Sequence, residues 1–242
     1  GRGGGGGGAA SPILILSLLG IASFLYPFFL PALAGVGEQS GRSGVETQVV
    51  FTVLGVGCLV ALLLVVQRSA VGARGASRLV ALLGTLVAID ATLRLLPTML
   101  GASPIFLLII LVGFTYGAQL GFLMGALTML VSALITGGVG PWLPYQMLGA
   151  GWVGMTAAWL PRGAESGDRG EIVRLAIFGG VWGLLYGAIL NLTEWPWAAP
   201  GLDTQAGLYW LPGMSISEAL ASYGRFYLTT SLVYDAFRAA AN

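Results

Sequence analysis

Residues 119–146 of the chain read QLGFLMGALTMLVSALITGGVGPWLPYQ. The first part, residues 119–135, has no charged side chain and approaches the roughly 20 apolar residues that a helix needs to cross a bilayer. Three glycines and two prolines then interrupt the run, and both residue types end helices. The stretch therefore predicts a membrane helix, a sharp turn and a second helix that starts at once.

The rest of the chain has the same apolar character. Of the 242 residues, 56% are hydrophobic and 9% are charged, whereas soluble domains have about 25% charged residues. Long apolar runs cover residues 12–33, 49–66, 79–96, 119–135, 172–192 and 216 to the end. Two shorter runs, 104–114 and 147–160, fit helices packed inside a bundle. The sequence thus predicts an all-α, polytopic membrane helix bundle with about eight transmembrane helices.

Several function classes are excluded by composition. The formal net charge of +1 provides no basic face for nucleic acid. The chain contains no histidine and no lysine, and its one cysteine, Cys58, lies in an apolar run, so we expect no catalytic residues and no metal site. It also lacks a phosphate-binding loop, so we expect no cofactor on this chain and ATP hydrolysis only by partner subunits.

Arginines predict the orientation, because cytoplasmic connections of membrane proteins are enriched in basic residues. The connections 67–78 and 161–174 carry three arginines each, namely Arg68, Arg74, Arg78, Arg162, Arg169 and Arg174. With eight helices both connections lie on one side, which predicts that both termini are cytoplasmic. Residues 1–11 read as a disordered glycine-rich leader, and the helical pattern still continues at Asn242, so we expect further sequence there.

Charged residues inside membrane spans are costly and indicate either function or helix pairing. Asp90 and Arg94 are four residues apart, which predicts an intramembrane ion pair on one helix face. Asp235, Arg238 and Asn242 form a polar stripe on the last helix, where they line a cavity or join helices. Ser215 and Glu218 form a capping-box pattern at the start of that helix.

The turn after residue 135 presents aromatic and amide side chains, Trp142, Tyr145 and Gln146, between the prolines and the next helix. Aromatic faces with an amide suit a pocket for a flat or ring-containing solute. The longest connection, residues 193–215, is also rich in aromatic residues and forms either an interfacial belt or a lid.

Small residues recur every four positions in three helices, which allows close helix packing in lipid. The rows are Gly84–Ala88–Thr92 with Ala81 and Thr85 adjacent, Gly117–Gly121–Gly125, and Gly179–Gly183–Gly187. These rows predict a tightly packed bundle.

Residues 78–242 resemble the substrate-specific S component of energy-coupling factor (ECF) transporters, a six-helix vitamin-binding membrane fold. The likeness rests on the small-residue row in 79–96, the short helix 104–114, the Gly-Pro-Trp turn at 140–146 running into 149–154, and the Asp-x-x-Arg-x-x-x-Asn stripe at 235–242. Two extra helices, within residues 12–77, depart from that pattern.

The resemblance implies a substrate-binding membrane subunit, not an enzyme, that captures a vitamin-sized solute outside the cell. It implies docking on a transmembrane scaffold subunit that two ATPase subunits drive, in a bacterial or archaeal cell membrane. The implied substrate-binding residues are Trp142, Tyr145, Gln146, Asn191, Asp235 and Arg238. The implied docking residues are Ala81, Gly84, Ala88 and Thr92.

Two other interpretations stay open at this point. One is a lipid-modifying membrane enzyme that uses Asp90, Arg94 and Asp235, and the other is an assembly protein without a solute. Because Asp235 and Arg238 are both charged, we expect a solute with polar or charged groups as well as a ring system. A corrinoid is our candidate.

Overall fold

The structure, a computed structural model, describes residues 7–33, 76–95, 103–140, 142–163, 168–195, 207–211 and 213–242, together with a few isolated positions between 53 and 64. Eight helices and no strands lie in these described parts. They are α1 (Gly7–Leu33), α2 (Ala76–Leu93), α3 (Ile105–Tyr116), α4 (Ala118–Thr136), α5 (Leu143–Ala157), α6 (Arg169–Glu194), α7 (Ile216–Thr230) and α8 (Leu232–Ala241).

Most predicted helices correspond to observed ones. Helices α2 to α6 match the predicted runs in order, and α1 contains the run 12–33. The predicted helix 49–66 lies outside the described residues. Helix α1 begins at Gly7, so residues 7–11 extend the helix and do not belong to a disordered leader. Once an apolar helix has formed, each residue added at its end gains a backbone hydrogen bond.

The two short helices pack inside the bundle, as predicted. In α5 nearly every residue from Leu143 to Val153 is buried, and α3 buries Phe106 and Ile109 completely. Because a short helix leaves unpaired backbone groups at its ends, it needs neighbours that cover them. These helices therefore form the centre of the fold.

The outer helices expose apolar faces that suit lipid. Helices α4 and α6 are each long and apolar enough to cross a membrane. Helix α6 leaves Ile172, Ile177 and Val181 between 47% and 62% exposed on its outer side. A soluble monomer rarely exposes contiguous apolar patches of this kind. The exposed face of α6 therefore fits a hydrocarbon environment.

Two of the three small-residue rows hold the bundle together. A Cβ at Gly121 or Gly125 of α4 would overlap the backbone of α5 at Gly154 or Ala150. Gly117 does not join this row, because it has φ 99° and forms the connection between α3 and α4. The contacts between α4 and α5 thus require glycine at positions 121 and 125.

The last helix is broken, whereas the sequence predicted one continuous helix from residue 216. Helix α7 starts with the predicted capping box, in which the Ser215 hydroxyl accepts from the Glu218 amide, and ends before Ser231. Thr229 and Thr230 donate to backbone carbonyls four residues earlier, at Arg225 and Phe226. Such bonds favour bending of a helix, and two of them are adjacent here, whereas Thr85 makes a single one inside the unbroken helix α2.

Helix α1 packs on α5. The Phe24 ring lies edge-on to the Tyr145 ring with centroids 4.8 Å apart, and Trp152 donates a 3.0 Å hydrogen bond to the Ser17 hydroxyl. A Cβ at Gly20 would lie 2.8 Å from Leu148, so the helices approach closely there. Helix α1 is therefore part of the folded bundle.

Candidate functional site

A cavity of about 270 Å³ lies between the start of α5, the second half of α6 and the junction of α7 with α8. All six residues that the resemblance implied for substrate binding line it, in company with six others. The lining residues are Trp142, Tyr145, Gln146, Gly187, Leu190, Asn191, Thr193, Thr230, Ser231, Tyr234, Asp235 and Arg238. Three separate parts of the sequence thus meet at one place.

The two rings on the aromatic side of the cavity, Trp142 and Tyr145, differ in how much of each is exposed. Trp142 is 48% exposed and donates a 3.2 Å hydrogen bond from its indole nitrogen to the Gly138 carbonyl. Its ring covers Gly140, where any Cβ would overlap it. Tyr145 is almost completely buried against Phe24. The cavity therefore has one fixed ring and one partly exposed ring available to a ligand.

The charged side of the cavity is an ion pair on α8. The Arg238 guanidinium contacts the Asp235 carboxylate and lies 5.4 Å from the centroid of the Tyr186 ring. It also donates a 3.4 Å hydrogen bond to the Gly183 carbonyl of α6. Because Gly187 has no side chain, the Asp235 carboxylate fits against α6 at that position. Helices α6 and α8 are thus packed through the third small-residue row.

Two amide residues complete the polar surface. Asn191 donates a 2.6 Å hydrogen bond to the Ser231 hydroxyl, which connects α6 to the break between α7 and α8. The backbone carbonyl of Gln146 accepts a 3.4 Å hydrogen bond from the Tyr186 hydroxyl, so the start of α5 is also connected to α6. These bonds hold the cavity walls in place.

Sequence reasoning missed half of the lining residues. Thr230, Ser231 and Tyr234 lie at the end of α7 and the start of α8. Helical spacing was an available signal, because Ser231 precedes Asp235 and Tyr234 precedes Arg238 by four residues each. Gly187 reaches it because it lies one turn before Asn191 on α6, and Thr193 lies one turn after Leu190, which also lines the cavity.

Asn242 does not line the cavity, contrary to the cavity-lining role considered for the polar stripe. Its side-chain oxygen accepts a 2.7 Å hydrogen bond from the Phe106 amide, and its nitrogen donates at 3.0 Å to the Ser103 carbonyl. Ser103 and Phe106 are buried, so the first turn of α3 needs a partner inside the protein. Asn242 supplies it and therefore has a structural role.

The predicted ion pair between Asp90 and Arg94 is wrong. Asp90 is fully buried and accepts a 3.0 Å hydrogen bond from Thr128, and Arg94 donates at 2.6 Å to Ser132. Both partners lie on α4 at the same four-residue spacing. Asp90 and Arg94 do share one face of α2, but the hydroxyl groups of the parallel helix α4 lie opposite that face. Each charged side chain therefore forms a hydrogen bond with α4. They join α2 to α4.

The described part of the long connection is packed against the bundle. Trp195 is 3% exposed, which argues against an interfacial position for its ring, and it donates to the Leu208 carbonyl at 2.9 Å. Phe28 of α1 contacts the rings of Trp195 and Trp210 at 5.8 and 5.6 Å. Trp197, also predicted for the belt, lies outside the described residues. The described part of the connection thus packs against α1.

The small-residue row of α2 remains free within the described structure. Ala81, Gly84, Ala88 and Thr92 are all exposed, whereas Leu83, Val87 and Ala91 on the other face are buried. A Cβ at Gly84 would meet no atom within 4 Å. This row therefore differs from those of α4 and α6, whose glycines pack against other helices of the chain.

Apolar helices around a buried centre, with one cavity of mixed aromatic and polar lining, are the structure of a multi-pass membrane protein that holds a small solute. The model of the family named ECF transporter, substrate-specific component, matches residues 78–242. The chain therefore belongs to this family, whose members are membrane subunits of transporters. Comparison with curated proteins gives no match, and neither does comparison with solved structures.

Proposed function

We propose that this protein captures a vitamin-sized solute in the cavity at Trp142 and Asp235 and delivers it to an ECF scaffold driven by two ATPase subunits. The single observation that supports this most is the convergence of all six implied residues on one cavity. They come from the start of α5 with the residue before it, from α6 and from α8, and they meet beside a glycine that makes room for a carboxylate.

The free face of α2 supports scaffold docking. Helices in lipid associate through small residues that let backbones approach closely, and the row Gly84–Ala88–Thr92 has no helix against it in the described structure. The chain uses its other small-residue rows for its own packing. We therefore assign the α2 row to the partner subunit.

The orientation of the cavity fits capture from outside. Arg162 and Arg169 lie after α5 and at the start of α6, at the end of the bundle opposite Trp142. Arg162 donates at 2.6 Å to the Phe114 carbonyl near the end of α3. If these arginines are cytoplasmic, as expected of basic connections, the cavity faces outward and both termini are inside. The family resemblance implies that the membrane is a bacterial or archaeal cell membrane.

The enzyme alternative receives no support from the geometry. It required Asp90, Arg94 and Asp235 to act together, but Asp90 and Arg94 bond to α4 and Asp235 packs on α6. Asp90 is also fully buried. We therefore propose a transport role without catalytic residues, in which this chain binds no cofactor and the partners use ATP.

The test is to purify the tagged protein from its own membranes and to identify by mass spectrometry both the subunits and the solute that copurify. The variant Ala88→Trp should lose the scaffold and both ATPases, because the bulky ring prevents close helix approach, but should keep the solute. Ala176→Trp makes the same change at an exposed position of α6 and should keep both.

Loss of the scaffold and loss of the solute are measured separately in this experiment. If Ala88→Trp still copurifies with the scaffold, the docking surface does not include the small-residue row of α2. A wild-type complex that copurifies no solute would refute the capture role.

A further inference from the structure

The cavity is balanced in charge. Among its lining residues in the described structure, Asp235 and Arg238 are the charged ones, and they neutralise each other in direct contact. An anionic ligand would have to compete with Asp235 for the guanidinium, and a cationic ligand would have to compete with Arg238 for the carboxylate. Separating a paired charge in a protein interior is costly. A solute without net charge avoids that cost.

The ion pair nevertheless leaves hydrogen-bonding capacity unused. Asp235 is 2% exposed, and its Oδ2 lies against Gly187 and accepts no hydrogen bond of ordinary length, although the Tyr227 hydroxyl is close enough to interact with the carboxylate. Both hydrogen bonds of the Arg238 guanidinium to the protein come from Nη1, and the side chain is 23% exposed. One acceptor and further donors thus lie side by side on α8.

Volume and shape limit the size of the solute. The cavity of about 270 Å³ is slightly below the ~300–1,000 Å³ of sites for drug-sized ligands, and Trp142 and Tyr145 present aromatic surface to it. A single planar ring or a fused pair of rings fits in this volume.

Building on the proposed function, we propose that the solute is an uncharged, planar ring compound with an amide-like edge, in which a donor and an acceptor are adjacent. The donor bonds to Asp235, the acceptor bonds to Arg238, and the ring packs on Trp142. Lactams, ring carboxamides and pyrimidinones have this edge. The solute thereby bonds to both side chains without breaking the ion pair.

Three probes of similar shape distinguish a preference for a neutral, an anionic or a cationic solute. At neutral pH benzamide is neutral, benzoate is an anion and benzamidine is a cation. The protein is purified, freed of copurified solute by dialysis, and titrated with each probe at millimolar concentration by calorimetry. Benzamide should bind at least about tenfold more tightly than either charged probe, which corresponds to ~1.4 kcal/mol. A charged probe that binds best, or failure of benzamide to bind, overturns the assignment.

The variant Asp235→Asn adds a test that a purely structural role would not pass. An asparagine amide places a donor where the carboxylate oxygen was and leaves the Arg238 charge unbalanced. Benzamide should therefore weaken about fivefold or more and benzoate should become the best of the three probes. Asp168→Asn, the same change at an exposed position before α6, should keep the wild-type order.

Unchanged probe order in Asp235→Asn would also overturn the assignment. That failure would leave the proposed function intact if the wild-type protein still copurifies a solute with the scaffold, so the two conclusions are tested separately.

Discussion

Replacing Trp142 by alanine should weaken binding of the copurified solute without unfolding the protein. The ring is about half exposed at the cavity, so a ligand can cover the part that solvent now reaches. Its indole nitrogen donates a 3.2 Å hydrogen bond to the Gly138 carbonyl, and such a bond contributes about 1 kcal/mol net to stability. Stability should therefore fall only slightly.

The magnitude follows from the exposed area. An aromatic side chain presents about 150–250 Å², of which the 48% exposed fraction leaves roughly 100 Å² for a ligand to cover. At about 25 cal/mol per Å², this burial contributes ~2.5 kcal/mol. The dissociation constant should accordingly rise by roughly 30- to 150-fold.

The assay is a titration of the identified solute, with thermal unfolding measured on the same samples. Trp159→Ala is the matched control, because Trp159 is 70% exposed and lies after α5, at the other end of that helix. It should bind solute like the wild type. The reasoning is refuted if Trp142→Ala binds normally, or if Trp159→Ala loses as much affinity.

Two further predictions concern topology and packing. In a Cys58→Ser background, an impermeant thiol reagent applied to intact cells should label Val139→Cys, which we expect outside, and leave Gly163→Cys unlabelled, which we expect inside. The reverse pattern would show that the protein has the opposite orientation. Gly183→Ala should destabilise the protein by about 1–3 kcal/mol in thermal unfolding, because the new Cβ would lie 2.6 Å from the Ala239 amide nitrogen. Gly180→Ala is the control and should be neutral, because its Cβ would lie 3.9 Å from the nearest atom. Equal effects of the two substitutions would refute the packing argument.

The sequence was most informative where a local pattern determines the structure. Apolar runs predicted helices because a helix satisfies its own backbone in lipid, and the Ser215–Glu218 spacing predicted a cap that the structure confirms. The turn at Trp142 was visible because glycine and proline interrupt an apolar run. Each of these features depends on residues close together in the chain.

The sequence was least informative where a neighbouring helix decides the outcome. Four-residue spacing placed Asp90 and Arg94 on one face, but it could not show that Thr128 and Ser132 lie opposite them. Likewise Asn242 shares a stripe with Asp235, yet it bonds to the start of α3. Spacing along one helix fixes a face and leaves the partner of that face undetermined.

The six implied residues also depended on the resemblance. Asn191 has no local signal, and its place in the cavity follows from the packing of α6 beside the break at Ser231. The lining residue Tyr234 lies four positions before Arg238, so helical spacing alone could have predicted it.

The most direct test of the central claim is a crystal structure of the protein purified together with its solute. We expect the solute between Trp142 and the Asp235–Arg238 pair, with the small-residue face of α2 left free for the scaffold. Solute bound anywhere else, with this cavity empty, would contradict the account.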